Sequence, residues 1–404
     1  MIDRSALAER NRHLVAAFQT RSLKERVRGQ MLQTIAALPI AQTEPGTGRI
    51  LVIRPDHLGD MLLTIPALHA LDAARPGRRI HALVGTWSAE VLAPIAAIDT
   101  VLTLAFPGFT RTDEPPDVLA PYLLAHKTAR RLRRIGYDEA YILRRDHWWG
   151  ALVAFLAGIP VRIGYDTIDV SPFLTHAHPD TRAHALIANL RLTQPIGSTI
   201  APVGSIDYPI GDDGRMIAQA LLRDHGVDPH SAYIVIHVGS GATVKNWDNE
   251  KWGGVANALA GGLDATVVLT GGARERADAD HIARLLDGRG VVLAGETDLP
   301  VLAALVAEAR IVLGADSGVL HLAAAVGTPT VALFGAADPD EFRPWGDPER
   351  QRVVISEIAC RPCRILDWDG DDLAFHPCVR DITPRQVIDA AWRALHAPRR
   401  INPG

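Results

Sequence analysis

The chain has 404 residues, of which 48% are hydrophobic and 22% charged, and its formal net charge is −4. That length exceeds the size at which one hydrophobic core stops growing, so we expect two domains, and the composition excludes an intrinsically disordered chain. Three cysteines are too few for a disulfide framework, and neither a signal peptide nor a spanning helix is recognisable, so the sequence predicts a cytoplasmic protein.

Charge is distributed unevenly along the chain. Residues 1–205 contain 23 Lys and Arg against 18 Asp and Glu, which gives +5, whereas residues 206–404 contain 19 against 28, which gives −9. The imbalance is compatible with chance variation of the surface, and it is equally compatible with an anionic partner for the first half.

The first 38 residues predict a helix, because apolar residues recur at near-helical spacing among basic ones. This helix either packs on the first domain or lies on a membrane surface. Residues 42–49, rich in Thr, Gly and Pro, follow as a linker. We therefore assign residues 1–45 to an N-terminal helical extension with its linker.

After the linker, two series of short apolar runs alternate with helical stretches, which indicates parallel sheets covered by helices on both faces. In the first series the predicted strands are 50–53, 80–84, 101–104 and 139–143, and the predicted helices are 58–74, 87–97, 122–135 and 149–157. In the second series the strands are 234–237, 266–270, 291–293, 311–313 and 330–334, and the helices are 252–260, 277–286, 299–307 and 318–326.

The two series predict an α/β protein with two Rossmann-like, doubly wound domains, 46–205 and 206–404, facing each other across a cleft. Ligands of such folds bind at the carboxyl ends of the strands. We therefore expect the site residues where strands end and helices begin.

A Gly-rich turn follows the strand predicted at 234–237. It contains Gly239 and Ser240, and Val244 and Lys245 come shortly after. Val244 stands where the dinucleotide and P-loop signatures require Gly, so nicotinamide binding and ATP hydrolysis lose their main sequence support. Backbone amides and a Lys point charge still suit a phosphate group, and a plain turn with a solvated Lys is the alternative.

A second turn leads from the strand at 311–313 into the next helix. Asp316 or Ser317 would cap that helix, and the free amides at Ser317 and Gly318 would present its positive end to an anion; a merely capped helix is the alternative. Glu296 lies in a similar turn and could place a carboxylate on a ribose.

In the first domain, Arg54 to Asp60 leave the first strand and enter a helix. The segment includes His57 and a further carboxylate, Asp56. The positive start of a helix favours the charged form of a nearby carboxylate, as a general base requires, although Asp is also a common helix cap.

These segments occur in an order that resembles the ADP-heptose:lipopolysaccharide heptosyltransferases, over roughly residues 50–395. Residues 50–68 are similar to the opening strand, Gly-Asp turn and helix of that family, and residues 156–165 to its mid-chain signature. Lys-Asn-Trp at 245–247 resembles its Lys-x-Trp element, and residues 316–323 its donor-site motif. The resemblance implies a GT-B fold whose first domain binds the acceptor and whose second binds the nucleotide sugar.

The resemblance makes Asp60 the catalytic base of a single inverting displacement, while Asp56 is expected to matter much less. The turns and the resemblance together predict donor-binding residues, which are Lys245, Asp316, Ser317, Gly318, His321, Gly239, Ser240 and Glu296. The residues expected to bind the acceptor are Arg54, His57, Arg144 and Arg145.

Members of the family need no metal, because helix amides and Lys neutralise the leaving diphosphate, so we expect no metal and no cofactor. The expected partners are an ADP-sugar donor and an anionic glycolipid or glycan acceptor. Nucleic acid is not expected, and a peripheral position at the cytoplasmic face of the inner membrane stays open.

Three alternative functions remain. They are a nucleotide-sugar epimerase or hydrolase on this fold, a transferase of the same family with another donor sugar, and a nucleotide-sugar binding protein without catalytic activity. The intact Asp60 argues against the last of these.

Cys360, Cys363, Cys378 and the nearby His376 could satisfy tetrahedral zinc, but the acidic insert at 367–372 is unlike compact zinc knuckles, so we expect reduced thiols. Two features depart from the family pattern. They are the helix that precedes the first strand, and Val-Gly-Ser-Gly at 238–241 where Pro-Gly-Ala-Ser is more usual. Both leave the acceptor and the exact donor sugar open.

Overall fold

A computed structural model describes residues 3–109, 119–366, 373 and 375–398. The chain divides into two compact units: Thr20–Pro202 forms the first, and Val203–Gly404 together with Met1–Gln19 forms the second. Each unit contains a six-stranded sheet whose neighbouring strands are all parallel. The predicted α/β class with two doubly wound sheets is confirmed.

The first sheet runs through the first unit. Its strands are β1 (Arg49–Arg54), β2 (Arg79–Gly85), β3 (Thr100–Leu104), β4 (Glu139–Ile142), β5 (Val161–Tyr165) and β6 (His176–His178). They lie in the order β3-β2-β1-β4-β5-β6, which is the order of the dinucleotide-binding fold. Residues 50–53 of β1 are almost fully buried, as a central strand between two helical layers requires.

The helices up to residue 192 include one that was not predicted, and three of the predicted helices differ from the observed ones. The observed helices are α1 (Arg4–Gln19), α2 (Leu23–Ala36), α3 (Leu58–Leu62), α4 (Ile65–Ala74), α5 (Ala89–Leu92), α6 (Ala120–Ile135), α7 (Trp148–Leu156) and α8 (Ala185–Leu192), the last of which was not predicted. The helix predicted at 58–74 is divided into α3 and α4, and the one predicted at 87–97 is reduced to a 3-10 turn and the four residues of α5.

The single helix predicted over residues 1–38 is wrong, because a new helix begins after Ser22. The Ser22 hydroxyl accepts the backbone N–H of Glu25 at 3.2 Å, and the Glu25 carboxylate accepts the backbone N–H of Ser22 at 2.7 Å. The first backbone N–H groups of a helix have no partner within that helix, and this reciprocal capping box supplies partners for two such groups at the start of the second helix. The extension is therefore two helices, α1 and α2.

The two helices of the extension pack in different units. In α2, Leu32 is fully buried in the core of the first unit, and Arg28 forms an ion pair with Asp169. In α1, Leu7 belongs to an apolar cluster with Ile358 of the second unit. Packing on the first domain therefore holds for α2 and not for α1.

The second sheet repeats the topology of the first. Its strands are β7 (Tyr233–His237), β8 (Thr266–Thr270), β9 (Gly290–Val292), β10 (Val312–Ala315), β11 (Thr330–Phe334) and β12 (Gln351–Ile355), in the order β12-β11-β10-β7-β8-β9. The helices around it are α9 (Asp212–Asp224), α10 (Asn249–Leu263), α11 (Arg276–Arg284), α12 (Leu299–Glu308), α13 (Gly318–Ala325), α14 (Pro339–Phe342) and α15 (Pro384–His396). Within the described residues, no helix is long and apolar enough to cross a membrane.

In both sheets the strand order reverses beside the first strand, between β1 and β4 and between β7 and β10. The connections from such neighbouring strands run in opposite directions, which opens a crevice at their carboxyl ends where doubly wound folds bind ligands. Three of the turns singled out by the sequence follow β1, β7 and β10, so they lie at these two switch points, whereas the turn of Glu296 follows the edge strand β9.

The packing of α2 gives a first prediction. Leu32→Ala should lower the free energy of unfolding of the first unit by about 2–5 kcal/mol, because it leaves a cavity under the helix. The matched variant Leu38→Ala, at a side chain that is 52% exposed, should change it by less than about 0.5 kcal/mol. Urea denaturation followed by circular dichroism measures both, and equal effects would show that α2 does not pack as described.

Candidate active site

Arg54, the last residue of β1, occupies the switch point of the first sheet with a buried guanidinium. Its Nε lies 2.7 Å from Oδ2 of Asp56, and its Nη2 lies 3.4 Å from Oδ1 of Asp60. Its Nη1 donates to the carbonyl of Leu143, which follows β4, at 2.8 Å and to Oδ1 of Asn189 on α8 at 3.2 Å. Arg54 thus ties together the loops after both switch-point strands.

Asp56 is held between two guanidiniums, those of Arg54 and Arg144. Only 4% of its side chain is exposed, and its backbone carbonyl accepts the Ser88 hydroxyl at 2.5 Å and the Trp87 indole N–H at 3.2 Å. Burial by itself would raise the pKa of Asp56, but the two guanidiniums outweigh it and hold that pKa below its ordinary value. Asp56 is therefore a structural anion. The expectation that it matters much less than Asp60 in catalysis stays a prediction.

Asp60 lies in the first turn of α3, and 34% of its side chain is exposed. The carboxylate of Asp60 is therefore accessible to a substrate hydroxyl, whereas the carboxylate of Asp56 is buried. His57, at the N-cap of the same helix, is exposed, forms no side-chain cap, and has its ring centroid 5.4 Å from that of Trp87. The structure brings Arg54, His57 and Asp60 together within one turn.

Arg144 and Arg145 follow β4 and point to different carboxylates. Besides its contact with Asp56, Arg144 places Nε 2.7 Å from Oδ1 of Asp146, and its guanidinium lies 5.0 Å from the centroid of the Phe109 ring. Arg145 places Nη2 2.5 Å from Oδ1 of Asp180. About a third of each Arg side chain is exposed, 36% and 34%, and an anionic ligand would have to compete with these carboxylates for the guanidiniums.

His147 was not predicted from the sequence. Its imidazole is buried beside the rings of Phe106, Phe109 and Trp149, at centroid distances of 5.4, 5.9 and 6.3 Å, and neither ring nitrogen has a hydrogen-bond partner in the described part of the chain. Burial lowers its pKa to about 3, so the ring is neutral at physiological pH. The sequence indicated this residue only by its position, three residues after Arg144 and between a strand and a helix.

In the second unit, Lys245 and Asp316 form an ion pair that joins the loops after β7 and β10. Nζ of Lys245 lies 2.6 Å from Oδ2 of Asp316, and the two side chains are 14% and 9% exposed. Ser240 closes the first of these loops, since its hydroxyl lies 2.8 Å from both the Ala242 carbonyl and Oδ1 of Asn246. Ser240, Lys245 and Asp316 thus lie together at the second switch point.

Gly239 in the same loop has a backbone φ of +93°, a conformation that L side chains rarely adopt. A Cβ at this position would lie 2.4 Å from Cγ of Glu275. The turn therefore requires Gly for two independent reasons.

Ser317 occupies the N-cap position of α13, but its side chain makes no cap hydrogen bond. Its Oγ is buried and has no hydrogen-bond partner within the described residues. Asp316 is engaged by Lys245, so the predicted capping of α13 by Asp316 or Ser317 is wrong. Gly318 begins the helix and the buried His321 lies one turn further on.

Glu296 lies in the turn before α12 and is engaged on both oxygens. Its Oε1 is 2.5 Å from Nη1 of Arg276, and its Oε2 is 3.3 Å from Nε2 of His225. A ribose hydroxyl would have to compete with these two contacts, so Glu296 is less available than the sequence suggested.

The three cysteines and His376 line one pocket of the second unit, together with Asn11 of α1. All three cysteines are free, and burial raises the pKa of Cys378 to about 11, so this thiol is protonated at neutral pH. In residues 3–109, 119–366, 373 and 375–398, no group of three or more His, Cys, Asp or Glu side chains is arranged to hold a metal ion. The acidic insert at 367–372 lies outside the described residues.

Comparison with known proteins gives a consistent result. The family model for glycosyltransferase family 9 (heptosyltransferase) matches residues 125–366. Lipopolysaccharide heptosyltransferase 3 of Escherichia coli K12 is 31% identical over 296 residues, which cover 71% of this chain and 82% of the relative. Among solved structures, ADP-heptose lipopolysaccharide heptosyltransferase II of E. coli aligns with a TM-score of 0.66 at 22% identity, covering 86% of this chain and 98% of that one.

A more distant structure shares the fold alone. It is the iron-containing dodecameric glycosyltransferase TibC of enterotoxigenic E. coli, with a TM-score of 0.50 at 17% identity, covering 89% of this chain and 77% of that one.

The environment of Asp56 gives a second prediction. Asp56→Asn should lower the free energy of unfolding by about 3 kcal/mol or more, because it leaves Arg54 in a buried site without its closest counter-charge. Asp146→Asn, which removes the other, 70% exposed carboxylate beside Arg144, should cost less than about 1 kcal/mol. Urea denaturation at neutral pH measures both.

The stabilisation that ionised Asp56 provides beside Arg54 and Arg144 should depend on pH. Because the pKa of Asp56 is lower in the folded than in the unfolded chain, its stabilisation is complete above the unfolded value of about 3.9 and is lost as the pH falls through the folded value. The difference between parent and Asp56→Asn should therefore narrow below about pH 4. A difference that stays constant down to acidic pH would contradict the ion-pair assignment.

Proposed function

The chain belongs to glycosyltransferase family 9, the heptosyltransferase family, and is a glycosyltransferase; we propose that it transfers heptose from ADP-heptose to a lipopolysaccharide core or related glycan acceptor. Two of the three proteins named above carry heptosyltransferase names, and the name of one of them includes ADP-heptose. The observation that carries the proposal is the Lys245–Asp316 ion pair at the start of α13, where a diphosphate would need positive charge.

We propose that the donor diphosphate binds at the N-terminus of α13. Amides of the first helical turn carry the positive end of the helix dipole, and the buried Ser317 hydroxyl supplies a further donor. Lys245, oriented by Asp316, places its ammonium group beside them, and a diphosphate would share that cation with the Asp316 carboxylate. These groups supply what a leaving diphosphate needs, so we propose that the donor site works without a metal ion.

In the first unit we propose Asp60 as the general base. The acceptor hydroxyl oxygen forms a bond to the anomeric carbon of the heptose, the bond from that carbon to the diphosphate oxygen breaks, and Asp60 takes the hydroxyl proton. Attack from the face opposite the leaving group inverts the anomeric centre. Arg54 contacts Asp60 and is itself fixed by the Leu143 carbonyl and Asn189, so the carboxylate is held in place by buried groups.

For the acceptor we propose that the partly exposed Arg144 and Arg145 bind anionic groups in competition with their carboxylate partners, and that His57 also contributes to this site. We further propose that the enzyme acts in the cytoplasm, because its three cysteines are free thiols, as reducing compartments keep them.

The third prediction concerns catalysis. Asp60→Asn should keep affinity for ADP-heptose and lower turnover about 10²–10⁴-fold, because it removes an interaction made only in the transition state. The assay is transfer from ADP-heptose to lipopolysaccharide acceptor lacking outer heptose, followed by mass spectrometry, with GDP-, UDP- and dTDP-sugars in parallel. Asp72→Asn, at an exposed position on α4, is the matched control and should turn over as the parent does.

Two outcomes would contradict different parts of this function. Near-parental turnover by folded Asp60→Asn would remove Asp60 as the base while leaving the donor assignment intact. Consumption of ADP-heptose by the parent without any acceptor requirement would instead favour a hydrolase or epimerase.

The fourth prediction concerns the donor site. Lys245→Met should weaken ADP binding at least about tenfold, because it removes the charge beside the diphosphate but keeps the length of the side chain. Lys24→Met, at an exposed position on α2, is the matched control and should bind ADP as the parent does. Isothermal titration calorimetry with ADP measures both, and equal affinities would exclude Lys245 from the donor site.

A further inference from the structure

Helix α2 carries apolar side chains on two opposite faces. Its buried face includes Leu32, which is fully inaccessible. On the other side, Leu23, Val27 and Met31 are 69%, 58% and 38% exposed, and their spacing of four residues places them in one stripe. A helix that only covers a core keeps its outer face polar, so this outer stripe needs a separate explanation.

Helix α6 presents an outer face that is apolar at its start and cationic further along. Leu119 and Leu123 are 66% and 69% exposed. At spacings of three and four residues, the same face continues through exposed cations, which are Lys127, Arg130, Arg131 and Arg134. None of these four cations has an ion-pair partner within the described part of the chain, while Ala125 and Ala129 on the opposite side are buried.

The two helices of the first unit are linked through shared contacts. The Arg28 guanidinium of α2 lies 5.3 Å from the centroid of the Trp148 ring, and Tyr122 of α6 has its ring centroid 5.8 Å from the same Trp148. Near the other end, Arg133 of α6 donates to the carbonyl of Ala41, which follows α2, at 2.8 Å. Both helices also pack on one core cluster, which contains Leu32 of α2 and Ala125 and Ala129 of α6, so α2 and α6 cover the same core of the first unit.

We infer that the outer faces of α2 and α6, together the α2–α6 face, dock on an anionic phospholipid bilayer. Helices α2 and α6 together contain eight Lys and Arg and one acidic residue, Glu25, which is engaged in the capping box, so their net charge is +7. Exposed Leu, Val and Met side chains beside such cations have the composition of helices that lie in a membrane interface, with apolar groups among the acyl chains and cations at the lipid phosphates.

Charge complementarity decides the occupant. A second copy of this face would carry the same positive charge and would repel it, whereas a bilayer rich in phosphatidylglycerol offers negative charge and an apolar layer together. The inference deepens the proposed function and rests on it in one respect, that the acceptor is a lipid-anchored glycan. Docking would then hold the first unit, which we propose binds the acceptor, at the membrane surface that carries the acceptor.

Co-sedimentation of the full chain with vesicles tests the docking directly. The vesicles are phosphatidylcholine alone, or phosphatidylcholine with an equal part of phosphatidylglycerol, and they contain no glycolipid. The parent should bind only the anionic vesicles and should be released by high salt. Arg130→Gln/Arg131→Gln/Arg134→Gln and Leu23→Ser/Val27→Ser/Met31→Ser should each lower the partition coefficient about tenfold or more.

Two matched variants on the second unit are the controls. Arg223→Gln/Arg385→Gln/Arg393→Gln removes the same number of exposed cations, and Met216→Ser/Ile217→Ser removes exposed apolar side chains of α9, which are 62% and 54% exposed. Both controls should bind anionic vesicles as the parent does. Parental binding by the α2–α6 variants, or equal loss in the controls, would overturn the inference, as would failure of the parent to bind at low salt.

A transfer assay separates this inference from the proposed function. Leu23→Ser/Val27→Ser/Met31→Ser should transfer heptose to a water-soluble acceptor freed of its lipid at the parental rate, and should lose rate only with acceptor embedded in vesicles. If the parent binds vesicles through the α2–α6 face but transfers no heptose, the proposed function fails and the docking stands. If transfer occurs but vesicle binding is unaffected by the variants, the docking fails alone.

Discussion

In each sheet one ion pair spans the two loops that leave the switch point, and the candidate sites depend on it. Arg144 reaches Asp56 in the first unit, and Lys245 reaches Asp316 in the second. Chain connections diverge at a switch point, so the two loops leave in different directions and side-chain contacts have to join them. Each pair is largely buried on its acidic side, where desolvation is offset only if the geometry and the surrounding hydrogen bonds are good. A buried pair of this kind fixes the two loops in one arrangement, which is what a site for a charged substrate requires.

Two carboxylates in one turn of the first unit, those of Asp56 and Asp60, differ in burial and in the contacts they make. Asp56 and Asp60 are four residues apart, yet Asp56 lies between two guanidiniums with 4% of its side chain exposed, whereas Asp60 is 34% exposed and contacts Arg54 at the longer distance of 3.4 Å. A carboxylate that is held by two cations orders its surroundings and cannot meet a substrate. The buried Asp56 therefore positions Arg54, and through Arg54 it positions the carboxylate that remains accessible.

Local patterns in the sequence were enough for the alternation of strands and helices and for the turns that carry Asp60, Lys245 and Asp316, because strand ends and helix starts are decided within a few residues. The capping box of Ser22 and Glu25 was equally readable and would have divided the first helix. The contact of Asp56 with Arg144 could not be predicted from the sequence, since Arg144 lies 88 positions away and only the pairing of β1 with β4 brings it near. Nor was the burial of His147, which depends on rings from separate parts of the chain.

The predicted capping of α13 by Asp316 or Ser317 is wrong, and the absence of a side-chain cap explains how the start of this helix keeps its positive partial charge. A side chain that caps a helix occupies the amides of the first turn, and an Asp there also cancels the positive end of the dipole. Asp316 instead turns its carboxylate to Lys245, and Ser317 leaves its hydroxyl without a partner in the described chain. The start of α13 therefore has no side-chain cap, and the carboxylate nearest to it is neutralised by a Lys. An anion arriving at this end would find amides, a hydroxyl and a cation already oriented, so little reorganisation would oppose its binding.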